Sequence, residues 1–320
     1  MTAPLQLEFV TVDVFTSKAY EGNPLAIVRI PYGQAVTQEQ KQTIAREFNL
    51  SETTFLHENS ENSEEDAWTV DIFMTTKELP FAGHPTVGTA CYVLGRTAQD
   101  RGIQDGVIEA RFQLKAGPVG LRYDVVKKTA NAEIPHNVHI HQKRWTREEL
   151  FAVQPRLAEA HSQGKIQTAE DYPVVSIVKG MTFVLVELES LEALDMISLA
   201  SCSLTVDGLN EEWCDNFIGT YFFVRTGPGS QGVTTLRTRM IEGTLEDPAT
   251  GSAASDLAAY LSLMDGKSGE TLSFEIVQGV EMGRRSKIFI DVEMANEEKS
   301  LSKIYLSGGA VQVMEGRCTI

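Results

Sequence analysis

The chain is poor in basic charge, in cysteine and in long apolar runs. It carries 28 lysines and arginines against 44 aspartates and glutamates, a net charge of −16 over 320 residues. Nucleic acids and anionic membrane surfaces demand basic patches, so this balance speaks against both as partners. It leaves room for a local positive site that takes a small anion. The four cysteines, Cys91, Cys202, Cys214 and Cys318, show no C-x-x-C spacing. They read as scattered, reduced thiols of a cytosolic protein. No apolar stretch approaches a membrane span. Met1 to Val10 has neither a basic nor an apolar leader region, so the expected location is cytoplasmic with no membrane partner. A G-x-S-x-G elbow and a P-loop are both missing, which removes support for a serine hydrolase or a P-loop nucleotidase.

What is present is a core-forming composition, 42% hydrophobic, and a length that fits two ordinary domains. Two segments repeat each other at an offset of 247 − 84 = 163 residues, close to half the chain. One is His84-Pro85-Thr86-Val87-Gly88-Thr89-Ala90-Cys91. The other is Asp247-Pro248-Ala249-Thr250-Gly251-Ser252-Ala253-Ala254. Each reads as a helix start: a polar residue at the N-cap, proline at the first helical position, then small residues leading into an apolar face. Helix N-termini present free N–H groups and partial positive charge, so two of them facing one cleft would grip a small acid.

The rest of the chain is strand-rich. β-type alternation marks 7–15, 25–29, 53–57, 67–74 and a 107–114/120–126 hairpin, and in the second half 174–178, 182–187, 219–226, 233–242, 272–278, 287–292, 304–306 and 310–314. Helical spacing marks 37–48, 146–153, 190–196 and the two repeat segments, with a capping box at Thr146-Arg147-Glu148-Glu149. The expected fold is therefore α+β: two pseudo-symmetric halves, each a mainly antiparallel sheet around a central helix.

Three other features are weaker. Gly227-Pro228-Gly229-Ser230-Gln231-Gly232 matches G-x-G-x-x-G, but a β-rich run follows it where a dinucleotide site needs a helix. His136, His139 and His141 cluster without a further ligand set, so neither metal nor cofactor is expected. Arg284-Arg285 reads as a turn pair.

Several segments, in the right order, resemble the PhzF-like (phenazine biosynthesis-like) family. They are Gly22-Asn23-Pro24-Leu25-Ala26, Leu50-Ser51-Glu52-Thr53, Pro80-Phe81-Ala82-Gly83-His84-Pro85-Thr86, Glu246-Asp247-Pro248-Ala249-Thr250-Gly251-Ser252-Ala253, Gln278-Gly279-Val280-Glu281-Met282-Gly283-Arg284 and Leu306-Ser307-Gly308-Gly309. The resemblance covers nearly the whole chain. It implies a diaminopimelate-epimerase-like fold with an N-terminal half over 1–128, a C-terminal half over 129–306, and a last strand, 307–320, returning to the first half.

It also implies a cofactor-independent isomerase acting on a small, amino-acid-like carboxylate in a cleft between the halves. Glu52 would be the acid/base that removes a carbon-bound proton and returns it nearby. His84 and Asp247 would position the substrate and share protons. Gly83, Asn23, Gly251 and Ser252 would bind substrate, and a homodimer is the expected assembly. Two-thiol racemases of this fold carry a cysteine at each helix start. Here His84 and Asp247 hold those places, and the deeper Cys91 matches Ala254. The segments Phe73-Met74-Thr75-Thr76-Lys77 and Arg239–Leu245 depart from the family pattern, so the resemblance does not fix the substrate and phenazine synthesis is not inferred. A lyase using the same carboxylate, or a protein-interaction module with a vestigial cleft, are the alternatives.

Overall fold

Alternating β-branched and aromatic residues become strands, and the small-residue repeats become the helices those strands enclose. A computed structural model describes residues 5–60, 66–201, 204–213, 217–229, 232–297 and 299–320. Its contacts divide the chain into two units, Met1–Ile134 with Leu306–Ile320, and Pro135–Tyr305. The fold is α+β.

In the first unit the elements are β1 (Gln6–Val14), β2 (Asn23–Ile30), α1 (Gln38–Phe48), β3 (Thr53–His57), β4 (Ala67–Phe73), β5 (Glu78–Leu79), α2 (Gly83–Asp100), β6 (Val107–Leu114), β7 (Gly117–Asp124) and β8 (Thr129–Glu133). Pairing runs β1–β2–β3–β4–β6–β7–β8, parallel at β2–β3 and β4–β6 and antiparallel elsewhere. The last strand of the chain, Leu301–Thr319, pairs with both β8 and β1 and so joins the two ends of this series. Its register along β1 runs from Gln6 opposite Thr319 to Val14 opposite Ala310. Helix α2 packs on the inner face against β1, β2, β3, β7 and β8. Val87, Ala90 and Leu94 on it are fully buried, and the valine and leucine side chains each contribute about 1.5–3 kcal/mol. A Cβ on Gly88 would stand 2.6 Å from Val14 Cγ2 and 2.8 Å from Leu25 Cδ2. Only glycine lets α2 lie this close to β1 and β2. Helix α1 covers the other face through Ile44 and Ala45, against Leu7, Val28, Ile30, Phe55 and Phe73.

The second unit contains β9 (His139–Thr146), α3 (Arg147–Val153), α4 (Pro155–Ser162), β10 (Asp171–Val178), β11 (Met181–Glu187), α5 (Leu191–Asp195), β12 (Phe217–Pro228), β13 (Thr234–Glu242), β14 (Leu245–Asp247), α6 (Gly251–Asp265), β15 (Thr271–Gln278) and β16 (Ser286–Met294). The sheet order is β9–β10–β11–β12–β13–β15–β16, with β14 folded back on β13. Helix α6 packs on β10, β11, β15 and β16. Helices α3, α4 and α5 bury Leu150, Leu157, Ala160 and Leu194 in a second core with Tyr172, Val174, Val184 and Phe222.

Several expectations are refined. The boundary expected at 128/129 lies at 134/135 by contacts, because β8 pairs with β7, Leu121 opposite Ala132. The pieces expected at 304–306 and 310–314 form one strand, β17 (Leu301–Thr319). Gly308 within it leaves room for the Phe15 ring, which a Cβ would approach to 2.3 Å. His139 and His141 lie on β9: His141 is 4% exposed and its Nε2 lies 2.8 Å from Ser176 Oγ. His139 stacks on Trp213 at 4.8 Å. Burial, then the neighbouring His139, lowers the His141 pKa to about 4. The G-x-G-x-x-G segment joins antiparallel β12 and β13; its Ser230 and Gln231 lie outside the described residues, as do Cys202 and Cys214.

Candidate active site

Glu52 stands where α1 hands over to β3. Helix α1 stops at Asn49, whose left-handed backbone (φ 52°, ψ 32°) caps it. The chain then turns through Leu50 and Ser51 into the strand. The Glu52 side chain is only 16% exposed. Its Oε2 is sealed from solvent, with no hydrogen-bond partner among the described residues. Burial raises its pKa, against a smaller opposing effect of a hydrogen bond with Ser51. A carboxyl in this setting shifts toward neutrality and becomes a competent acid or base.

His84 comes from the head of α2. The helix expected to begin at Pro85 begins at Gly83, with Ala82 as N-cap in extended conformation (φ −151°, ψ 138°). His84 is thus the second helical residue rather than the N-cap. Pro85 is the third, still within the positions whose N–H has no partner in the helix. The first bond is Thr86 N–H to Ala82 O at 3.2 Å. His84 is 6% exposed, and its Nδ1 lies 3.6 Å from Glu52 Oε2. That separation is electrostatic contact, longer than a hydrogen bond. Gly83 is buried beside it, and Asn23, 2% exposed, opens β2 opposite Val14.

The second repeat folds differently. Asp247 ends β14 instead of capping α6, and the cap is Thr250 (φ −113°, ψ 93°). The Asp247 carboxylate accepts from Thr250 Oγ1 at 2.6 Å and from Ala249 N–H at 3.4 Å. These bonds hold Pro248 and Ala249 in a turn, which delays the helix to Gly251. Within α6 the first internal bond is Ala254 N–H to Thr250 O at 2.9 Å. The N–H groups of Gly251, Ser252 and Ala253 therefore project from the helix head, a ready anion cradle.

Three groups anchor this turn. Gln278 Nε2 donates to Asp247 O at 2.8 Å and Thr250 Oγ1 at 3.0 Å, and Tyr221 OH donates to Gln278 Oε1 at 2.9 Å. Arg239 grips Glu246 with two bonds of 2.8 Å and caps the carbonyls of Leu194 and Ile197. Gly279 (φ +74°) lies where a Cβ would meet Arg284 O at 2.5 Å and Pro248 O at 2.6 Å. Motif spacing did not single out Tyr221, and Gln278 and Gly279 appeared only as part of a family-like segment. The two departures from the family pattern are hairpins. Glu242 opposite Leu245 leaves a two-residue turn between β13 and β14, and Phe73 opposite Glu78 leaves a four-residue loop between β4 and β5.

Glu52 and His84 are thus brought together in the first unit, and Asp247 and the α6 head in the second. Among the described residues no three of His, Cys, Asp and Glu gather as a metal set, and no helix is long and apolar enough to cross a membrane.

The architecture, a helix wrapped by a mixed sheet in each of two units, is the diaminopimelate-epimerase-like fold. A Bacillus anthracis phenazine biosynthesis protein of the PhzF family matches with a TM-score of 0.71 at 21% identity, covering 99% of this chain and 100% of its own. A hydroxyproline epimerase from Agrobacterium vitis matches with a TM-score of 0.60 at 11% identity, covering 100% and 94%. Both likenesses bear on the fold. In sequence, a trans-2,3-dihydro-3-hydroxyanthranilate isomerase from Pseudomonas aeruginosa is 30% identical over 97% of this chain and 98% of its own length. The family model described as phenazine biosynthesis-like protein matches residues 12–316, and the chain belongs to that family. It is an isomerase.

Proposed function

We propose that this isomerase moves a proton within, or inverts a centre of, a small amino-acid-like carboxylate without a cofactor. Glu52 is the acid/base. The observation that carries this is its carboxyl: sealed, with Oε2 unpartnered among the described residues, and 3.6 Å from His84 Nδ1. An acid whose pKa is raised by burial holds a proton abstracted from carbon long enough to return it to a neighbouring carbon. His84 steadies the charge that appears on Glu52. The N–H groups of Gly251 and Ser252 with the Ser252 hydroxyl take the substrate carboxylate, and Asp247 takes its amine. Gly83 and Asn23 line the substrate's approach to Glu52. The chemistry requires these groups to act on one molecule.

The test uses D2O. The chain is incubated with trans-2,3-dihydro-3-hydroxyanthranilate and a pool of small amino and hydroxy acids, and mass spectrometry follows deuterium gain at carbon and formation of isomers. Conversion by the wild type, lost in E52Q, supports the reading. Conversion retained in E52Q overturns Glu52 as the base. Conversion with elimination of water or ammonia marks the lyase alternative. Isomerase relatives weigh against a pure interaction module. Gel filtration and cell fractionation check the homodimer and cytoplasmic location that belong to the same reading.

A further inference from the structure

Helix α6 carries a carboxyl that the chemistry above does not use. Asp256 is 0% exposed, and neither Oδ1 nor Oδ2 has a hydrogen-bond partner among the described residues. An orphaned buried carboxyl is costly, and native structures rarely keep one without a use. The fold does not demand it: at the repeat offset of 163 the same place in α2 is taken by Val93, a buried apolar residue. Burial holds the Asp256 acid well above the usual carboxylate range, so it keeps its proton and can donate.

Its neighbour on the helix face is Ser252, one turn nearer the N-terminus. Residues four apart on a helix stack on one face with Cβ atoms roughly 5–6 Å apart. The Cα–Cβ bond tilts toward the helix N-terminus, which aims the acid at the Ser252 turn. The same stripe continues through Tyr260 and Leu263, all partly exposed, with Asp256 fully buried among them. A carboxyl arm and a hydroxymethyl arm close a gap of that size to hydrogen-bond length.

We propose that Asp256 is a positioning residue for Ser252, its acid O–H donating to Ser252 Oγ when a substrate carboxylate sits on the α6 head. With its oxygen lone pair so engaged, the Ser252 hydroxyl points its own hydrogen at the substrate carboxylate. The orphaned acid gains its partner only in the complex, so its desolvation cost is recovered on binding. This rests on the reading of Ser252 as a substrate-binding residue.

The experiment compares wild type, D256V, D256N, S252A and the D256V/S252A double variant. Thermal melting reads stability, and titration calorimetry reads binding of anthranilate, L-proline and trans-2,3-dihydro-3-hydroxyanthranilate. D256V removes a buried orphan, so it melts higher than the wild type, yet it binds about tenfold more weakly, one lost hydrogen bond's worth. A merely structural role would move both readouts the same way. D256N restores binding because its amide still donates. The double variant binds no more weakly than S252A, since both substitutions break one interaction. Unchanged affinity in D256V and D256N, or additive losses in the double variant, overturns the inference while leaving the site intact. Failure of all three compounds to bind the wild type overturns the proposed site, and this inference with it.

Discussion

Gln278 is where a substitution separates anchoring from chemistry. Its amide donates to Asp247 O at 2.8 Å and Thr250 Oγ1 at 3.0 Å, and it accepts from Tyr221 OH at 2.9 Å. The side chain is 0% exposed, so water cannot take over these bonds. In Q278M the volume is nearly kept and these bonds are lost, together with the long one from Thr238 Oγ1 to Gln278 Oε1 at 3.5 Å. At about 1–1.5 kcal/mol for each lost bond, with Tyr221 OH still held by Thr238, the cost is about 2–4 kcal/mol. Q278A adds a cavity in a site that the sheet prevents from collapsing, and reaches about 4–6 kcal/mol. Urea unfolding followed by circular dichroism reads the difference as a lower midpoint at unchanged slope. The Asp247 turn should also lose its register, so turnover falls although Gln278 is placed on no substrate. A Q278M chain within about 0.5 kcal/mol of wild type would refute the reasoning, because it would mean the turn holds itself.

Three other expectations follow from single observations. In E52Q, turnover falls about 10²- to 10⁴-fold. Its stability gain over wild type appears as pH rises past the ordinary value of 4.5 and grows until the raised folded pKa is passed. The sign follows from linkage: a raised carboxyl pKa means the folded state binds the proton more tightly, so deprotonation costs the wild type alone. Melting curves of both proteins across acid to neutral pH check it, and parallel curves count against the buried acid. G279A loses about 2–4 kcal/mol, from the left-handed backbone plus clashes with Arg284 O and Pro248 O. G33A, at φ +77° with open space around it, loses only the backbone part, and equal melting temperatures would contradict the contact argument. Cys91, whose thiol burial pushes up to about 12 and whose Sγ donates to Gly308 O, resists alkylation until the chain unfolds. Peptide mapping of its native alkylation would show otherwise if the core opens.

The α+β arrangement was legible because two periodicities alternate cleanly. Thr146 caps α3 through a capping box, as the spacing of Glu149 predicts, and Thr37 with Gln40 forms a second such box at the head of α1. Ser190 caps α5 in the same local way. What failed was decided by contacts far along the chain. His139-Ile140-His141 reads as polar, yet β10 pairs with it and Ser176 and Trp213 bury His141. Helix α4 was missed because proline at 155 and polar residues mask a face that only Leu157 and Ala160 bury. At the site, the repeat flagged His84, Asp247 and Ser252, and the family resemblance flagged Glu52. They could not flag Tyr221 or Thr238, whose roles exist only because β12, β13 and β15 bring them to Gln278.

The repeat itself carries a lesson about pseudo-symmetry. At the offset of 163, Gly88 matches Gly251 and Thr89 matches Ser252. In the first unit these positions lie inside α2 and serve packing. Gly88 admits Val14 and Leu25, and Thr89 Oγ1 lies 3.0 Å from Thr54 Oγ1 in the buried core. In the second unit the same two positions head α6, where their N–H groups have no helical partner. The difference traces to a few bonds. Ala82 caps α2 ahead of His84, whereas the Asp247 carboxylate captures Thr250 and postpones α6 to Gly251. One motif thus yields two tools: an imidazole beside a buried acid, and an amide-and-hydroxyl cradle. The duplicated fold is symmetric in its packing and asymmetric in its chemistry. Under the proposed function the first tool serves Glu52 as acid/base and the second takes an anion, a division of labour that two matching helix heads would not supply.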